Sequence, residues 1–251
     1  MAEATDSIQL STEDLFASRK NLRRNLERIG WLALVLLLFV GLSSVVTRMI
    51  FMVEAQSVAN PQEVYNAFDV RYVQSALASW LHLIPALIIA VVGPLQFIRA
   101  VRKRWPTWHR MAGRFYIVAG LLGASTGFII GGLTPFGGLD GPGFNEAVAT
   151  AVFSSYIIWA LISAYVAIRK RDFIRHREWM IRSFTLMMGI ATERIFLIIL
   201  QSTTEVDIAI LFGTTFWMAG VVNIIVAEMW IRLTRTPGRG LAHWKDLDQR
   251  A

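Results

Sequence analysis

The sequence of 251 residues is 55% hydrophobic, carries a formal net charge of +7 and contains no cysteine. The apolar residues exceed the roughly 45–50% of ordinary soluble domains and lie in long runs, which indicates a membrane protein. The lack of cysteine excludes disulfides, thiolate metal sites, cysteine-ligated iron–sulfur clusters and cysteine nucleophiles.

Residues 1–30 are polar and are predicted to form a cytoplasmic arm. Leu15, Leu22, Leu26 and Ile29 recur at helical spacing, opposite a basic face. This pattern is typical of a basic amphipathic helix on a membrane surface. A loosely ordered arm is the alternative.

Six apolar runs are long enough to cross a bilayer, which takes roughly 20 residues. The predicted spans are residues 31–53, 76–98, 111–133, 147–168, 179–200 and 208–231. Residues 31–233 are therefore predicted to be an all-α, integral-membrane six-helix bundle. Residues 234–251 form a predicted cytoplasmic tail, disordered from Thr236.

Two of the connections between spans contain sequence patterns that predict their local structure. Asn60 followed by Pro61 predicts the start of a short helix, since proline is favoured at the first helical position. Residues 134–145, TPFGGLDGPGFN, predict a turn-rich loop.

The basic residues are concentrated in the two terminal segments and in every second connection between the spans. All lysines and arginines except Arg48, Arg71 and Arg194 lie before the first span, around the second and fourth connections, or after the last span. The positive-inside rule then predicts that both termini lie on the cytoplasmic side of an inner membrane. The positive charge is explained by topology and by contact with anionic lipids on the cytoplasmic face, so a nucleic-acid partner is not expected.

The second and fourth connections share a motif. RKRWPTWHR begins at Arg102 and RKRDFIRHR at Arg169, 67 residues later, with the basic residues and the histidine at identical spacing. Spans two and three would then correspond to spans four and five, as a parallel repeat about an axis along the membrane normal. Convergence of two basic hairpins is the alternative.

Polar groups within spans are costly and mark candidate functional sites. His82, Glu193 and Arg194 are predicted to share a layer roughly 9–12 Å below the outer surface, at 1.5 Å per helical residue. They would form either a structural clasp between spans two and five or an outward-facing substrate, proton or quinone site. Gln96 and Asn223 are further candidates for a ligand or proton site.

A second set lies near the cytoplasmic surface. His109 and His176 begin spans three and five and would face each other if the repeat is real, as a bis-histidine ligand pair for one b-type haem requires. Anchoring at the headgroup level and binding of an anionic lipid headgroup are the alternatives. The basic residues that could pair with haem propionates are Arg110, Arg114, Arg177 and Arg182.

Span three carries a stripe of small residues on the same face as His109. Gly120, Gly123, Gly127 and Gly131 follow at steps of three or four. Such a stripe favours close helix packing, and it would also admit a flat macrocycle.

Several motifs together resemble a known family. They are His82, Gly93-Pro94-Leu95-Gln96-Phe97, His109-Arg110-x-x-Gly113-Arg114-x-Tyr116, His176-Arg177-Glu178-Trp179-Met180-Ile181-Arg182 and Arg194. Over residues 75–200 the chain resembles DUF2306, a family of predicted multi-pass bacterial membrane proteins of undefined activity. The arrangement of its helices and histidines is similar to that of membrane b-type cytochromes, a likeness of layout alone.

Three functional hypotheses follow. The first is a redox or ligand-binding membrane protein with one haem, which would transfer electrons to a quinone or a redox partner. The second is a non-enzymatic membrane protein that binds lipid, a partner protein or a second copy of itself. The third is a small-molecule or proton carrier that uses His82, Glu193 and Arg194. Hydrolysis is not expected, since the sequence contains no HExxH, P-loop or GxSxG motif.

Overall fold

A computed structural model of the chain describes residues 12–235. The beginning of the predicted arm, most of the predicted tail and His243 lie outside the described residues. The chain divides into two compact units, residues 1–36 and residues 37–251. The described part of the first unit is the beginning of one long helix, and the second unit contains the other helices.

The described chain consists of helices joined by short connections. They are α1 (Thr12–Glu54), α2 (Pro61–Val64), α3 (Ala67–Gln74), α4 (Ala76–Phe97), α5 (Arg99–Arg104), α6 (Pro106–Gly127), α7 (Gly143–Arg169), α8 (Phe173–Met187), α9 (Gly189–Thr203) and α10 (Ile208–Thr234). The helix predicted from Asn60 and Pro61 is α2. The loop predicted over residues 134–145 ends earlier, because α7 begins at Gly143.

Within residues 12–235, six segments have the length and apolar composition needed to cross a membrane. They are Arg24–Ser57, Ala76–Phe97, Pro106–Leu133, Gly143–Arg169, Phe173–Thr203 and Ile208–Thr234. Large apolar side chains such as Leu77, Phe115 and Ile198 are exposed around them, as lipid contact requires. The predicted all-α, six-span architecture is confirmed.

Two spans depart from regular α-helix, which the sequence did not indicate. Span five breaks at Met188, which separates α8 from α9. Span three continues beyond Gly127 as a π-helix, Phe128–Leu133. Single-turn π segments inside helices frequently occur at functional sites.

The two repeated motifs follow different turns but begin equivalent helices. Arg102 lies in α5, whereas Arg169 is the last residue of α7 and the turn after it places Arg171 at a φ of 59°. His109 and His176 are each the fourth residue of the next helix. Their backbone N–H groups each donate to the N-cap carbonyl, of Trp105 and Asp172 respectively, at 3.0 Å. The parallel repeat itself stays a prediction.

Span six packs closely on span four through a glycine. A Cβ on Gly220 of α10 would overlap the ring of Phe153 on α7. A Cβ on Gly123 of α6 would make only an ordinary contact, at 3.5 Å from Pro85 Cβ. The two glycines therefore differ in how much their lack of a side chain contributes to packing.

We expect Gly220→Ala to lower the free energy of unfolding by about 1–3 kcal/mol, because the new methyl group forces Phe153 to move. Gly123→Ala is the matched control and should not destabilise the protein, since alanine also favours helix. Unfolding in mixed micelles by added SDS, followed by tryptophan fluorescence, measures both. Equal stability of the two variants would contradict this account of the packing.

Candidate functional site

A buried ion pair joins α3 to the first turn of α7. Arg71 Nη1 donates to both carboxylate oxygens of Glu146, at 2.8 and 3.2 Å. Their side chains are only 10% and 1% exposed. The Phe136 backbone N–H donates to Glu146 Oε2 at 2.7 Å. One carboxylate thus holds α3, the loop of residues 134–142 and α7 together at what is here called the α3 end of the bundle.

Aromatic rings surround the guanidinium of Arg71. Its Cζ lies 4.7 Å from the ring centre of Phe68, 5.1 Å from Tyr72 and 5.2 Å from Phe212. Burial by itself lowers the pKa of Arg71, but Tyr72 and Glu146 outweigh burial and raise the pKa above its ordinary value. Arg71 therefore stays charged, and its charge is compensated by Glu146.

A second pair lies next to the first. Glu193, which is fully buried, accepts a hydrogen bond from Thr215 Oγ1 at 3.1 Å, and its other oxygen lies 3.7 Å from Arg194 Nε. Arg194 Cζ lies 5.6 Å from the ring centre of Phe68 and 5.5 Å from that of Phe212, the rings that Arg71 also contacts. Arg71, Glu146, Glu193 and Arg194 are called the charge quartet below. Their formal charges sum to zero.

Helix α3 is also tied to α1. Asp69 forms an ion pair with Arg48, and Asn66 caps α3 by accepting from the Asp69 backbone N–H at 2.9 Å. The short helix α3 therefore forms two ion pairs, one from Asp69 to α1 and one from Arg71 to α7.

A cavity of about 200 Å³ lies beside the quartet, inside the second unit. Most of its walls are apolar residues and glycines from several spans. Its polar lining residues are Arg71, Tyr72, His82, Glu146, Thr150 and Ser154. A mainly apolar cavity with a few convergent polar groups is the usual form of a small-molecule site.

His82 is the histidine of this cavity. Its Nδ1 lies 2.8 Å from the carbonyl oxygen of Gly123. A carbonyl only accepts, so Nδ1 carries the hydrogen and, in the neutral ring, Nε2 is left as an acceptor. His82 as a residue is partly exposed although it lies within the bundle. Among the described residues no hydrogen bond joins His82 to Glu193 or Arg194. Of these three residues, which were predicted to share one layer, His82 therefore lines the cavity and the other two belong to the charge quartet.

The glycine stripe of span three allows neighbouring side chains to approach. A Cβ on Gly127 would lie 3.1 Å from the His82 ring, and one on Gly131 would lie 2.8 Å from Thr150 Oγ1. Both glycines also line the cavity. The stripe therefore serves helix packing and, at the same positions, shapes the cavity wall.

The two remaining described histidines lie at the opposite end, where α5 and residues 170–172 make the connections, called the basic end. His176 Nδ1 lies 2.9 Å from the Ala164 carbonyl oxygen, which leaves Nε2 as its acceptor. His109 Nδ1 is buried and has no hydrogen-bond partner within the described range. The lining of the 200 Å³ cavity, as far as the chain is described, includes neither of them.

The four candidate arginines at the basic end differ in their partners. Arg182 is engaged by Glu228, with Nε–Oε1 at 2.6 Å and Nη2–Oε2 at 3.1 Å. Arg177 donates to Thr234 Oγ1 at 2.6 Å. Arg110 and Arg114 are exposed on α6. Two of the four are therefore held by α10, and two face outward.

The two buried amides lie outside the cavity lining. Gln96 Oε1 lies 3.4 Å from the Cβ position of Gly113, which packs spans two and three together. Asn223 Oδ1 accepts a hydrogen bond from Thr192 Oγ1 at 3.1 Å, which joins spans five and six.

Arg71 and Glu146 are the site residues that sequence reasoning missed. Glu146 lies one residue before the predicted start of span four at Ala147, outside the predicted spans. Arg71 was treated as an exception to the charge rule. The available signal was that a basic residue in an otherwise acidic connection needs a partner.

The family comparison agrees with the sequence resemblance. DUF2306, described as a predicted membrane protein family, matches residues 79–231. The match covers more than half of the chain, so the chain belongs to this family. It extends beyond the predicted residues 75–200 into span six. Comparisons with curated proteins and with solved structures find no match.

We expect Glu146→Gln to lower the free energy of unfolding by about 3–5 kcal/mol, because it leaves the buried Arg71 without a counter-charge. Glu205→Gln, at an exposed position, is the control and should have little effect. Unfolding by SDS in mixed micelles measures both.

The double variant Arg71→Met/Glu146→Gln should recover most of that loss, because no unpaired charge remains and the glutamine still accepts from Phe136. A double variant as unstable as Glu146→Gln would show that the destabilisation does not arise from an uncompensated arginine.

Proposed function

We propose that this member of the DUF2306 family is a membrane-embedded binding protein or carrier for a small, mainly apolar molecule with a hydroxyl group. The supporting observation is the cavity of about 200 Å³, with a partly exposed histidine in its wall. Drug-sized ligands occupy pockets of about 300–1,000 Å³, so the expected ligand, or the part of it that enters, is smaller.

The polar groups of the cavity favour a neutral hydroxyl. His82 Nε2 is an acceptor that a hydroxyl hydrogen can meet. Thr150 Oγ1 also lines the cavity and is buried without a hydrogen-bond partner among residues 12–235. Arg71 is already compensated by Glu146, so no net charge is left for an ionic ligand.

The proposed orientation follows from the basic residues. With the basic end in the cytoplasm, as the positive-inside rule favours, the charge quartet lies on the outer side of the membrane. The ligand would then reach the cavity from the outer side or from the outer leaflet.

We expect 4-fluorophenol to bind the protein in lipid nanodiscs about threefold to tenfold more tightly than fluorobenzene, because its hydroxyl adds one hydrogen bond. Fluorine NMR of each probe, compared with protein-free nanodiscs, measures the dissociation constants. His82→Leu should abolish the preference for the phenol and leave the binding of fluorobenzene.

Ala90→Leu places a larger side chain in the cavity wall and reduces the space for a ligand, so it should weaken the binding of both probes. Ala33→Leu, at an exposed position on α1, is the matched control and should bind both as the wild type does. Binding of both probes unchanged by Ala90→Leu would refute this proposal.

One b-type haem between His109 and His176 is a second proposal that a specific observation favours. The bond from His176 Nδ1–H to the Ala164 carbonyl is the type of contact that orients metal-ligating histidines. The buried Nδ1 of His109 also has no partner in the described part of the chain. A haem bound there would supply one-electron transfer. The exposed guanidiniums of Arg110 and Arg114 would be available to its propionates, whereas Arg182 is held by Glu228.

For this second proposal we expect a Soret band and a dithionite-dependent visible spectrum after expression with sufficient haem. His109→Ala and His176→Ala should each remove the low-spin signature, and His82→Ala should not. Protein that folds normally and shows no Soret band would exclude the haem.

A further inference from the structure

The break in span five places the beginning of α9 inside the membrane-spanning segment Phe173–Thr203. The first N–H groups of a helix have no acceptor inside that helix, and their dipoles give the terminus a partial positive charge. No side chain caps α9 at its N-cap residue, Met188. Met188, Gly189, Ile190 and Ala191 all line the cavity.

An asparagine from span six lies beside Gly189, although the described cavity lining does not include it. Asn223 is 4% exposed, and its Nδ2 finds no hydrogen-bond acceptor among the residues that the structure describes. This nitrogen lies 3.9 Å from the Cβ position of Gly189 and is the one described atom from a neighbouring element within 4 Å of it. A methyl group at Gly189 would therefore make one ordinary contact with another element, and that contact is with a buried amide donor.

A hydrogen-bond acceptor would stabilise both the N-terminus of α9 and the Asn223 amide nitrogen. Leaving a buried donor unpaired is costly, and the cost is greater in an apolar environment than near water. The N–H groups of Ala191 and Thr192 already donate to the Met188 carbonyl, so the α9 terminus can contribute those of Gly189 and Ile190. The Asn223 amide adds a donor from span six. A group with oxygen lone pairs and no hydrogen of its own would satisfy both.

The charge of that group is constrained by its surroundings. Arg71 is the single lysine or arginine among the described lining residues, and Glu146 already compensates it. A carboxylate would therefore enter the membrane interior without a counter-ion, which is unfavourable. A neutral carbonyl oxygen meets the same donors without that cost.

We propose that the space between Gly189 and Asn223 Nδ2 binds a neutral carbonyl oxygen of the ligand. This inference rests on the proposed function and narrows its ligand class to apolar molecules that carry a ketone, ester or similar carbonyl. Asn223 is a positioning donor for that oxygen, and the absence of a side chain at Gly189 makes room for it.

The test compares 4-fluoroacetophenone with fluorobenzene by fluorine NMR in lipid nanodiscs. The wild type should bind the ketone about threefold to tenfold more tightly, as expected for one or two hydrogen bonds. Asn223→Leu should remove this preference and leave the binding of fluorobenzene. Thr192→Val is the matched control, since it removes the bond to Asn223 Oδ1 and keeps the Nδ2 donor.

Gly189→Ala provides a second variant for which the structure has room, because the new methyl lies 3.9 Å from its nearest neighbour in another element. It should also remove the preference for the ketone, by occupying the space of the oxygen. Persistence of the preference in both Asn223→Leu and Gly189→Ala would overturn the inference, as would equal binding of the two probes by the wild type. Failure of the wild type to bind either probe would instead reject the proposed function.

Discussion

The carboxylate of Glu146 is the group on which the α3 end of this bundle depends. It accepts from Arg71 of α3 and from the backbone of Phe136, and it belongs to the first turn of α7. One side chain thus links α3, 75 residues away in sequence, to the loop of residues 134–142 and the start of α7. The pair also lies beside apolar helices, where neither charge could stay without the other. The positions of α3, the loop of residues 134–142 and the start of α7 are therefore linked.

Charge neutrality at this end limits which ligands the proposed function allows. Both arginines of the quartet contact the rings of Phe68 and Phe212. Each of the two glutamates lies beside one of these arginines. Since the four charges cancel, the neighbouring cavity has polarity without net charge. Under the proposed function, selection then comes from hydrogen bonds, through the acceptor of His82 and the donors at the break of span five. This combination favours a neutral molecule with both a hydroxyl and a carbonyl.

The six spans could be predicted because bilayer thickness imposes a long apolar run that a single sequence displays. The site could be predicted only in part. His82 was found because a histidine inside an apolar run is conspicuous. Glu146 was missed because it stands one residue before such a run, where a charge normally faces water. The break at Met188 was missed because Met187-Met188-Gly189 contains no proline and continues the apolar pattern.

The sequence repeat does not extend to the residues of the candidate site. The repeated motif corresponds to a repeated backbone feature, since His109 and His176 occupy the same position in their helices. The cavity does not share this regularity: the residue 67 positions after His82 is Ala149, which is fully buried in α7. Arg71 likewise comes from a connection outside the repeated hairpins. A binding site that uses one histidine, one ion pair and one broken helix needs no symmetric counterpart. If the two hairpins do share an ancestry, the cavity is where they have diverged.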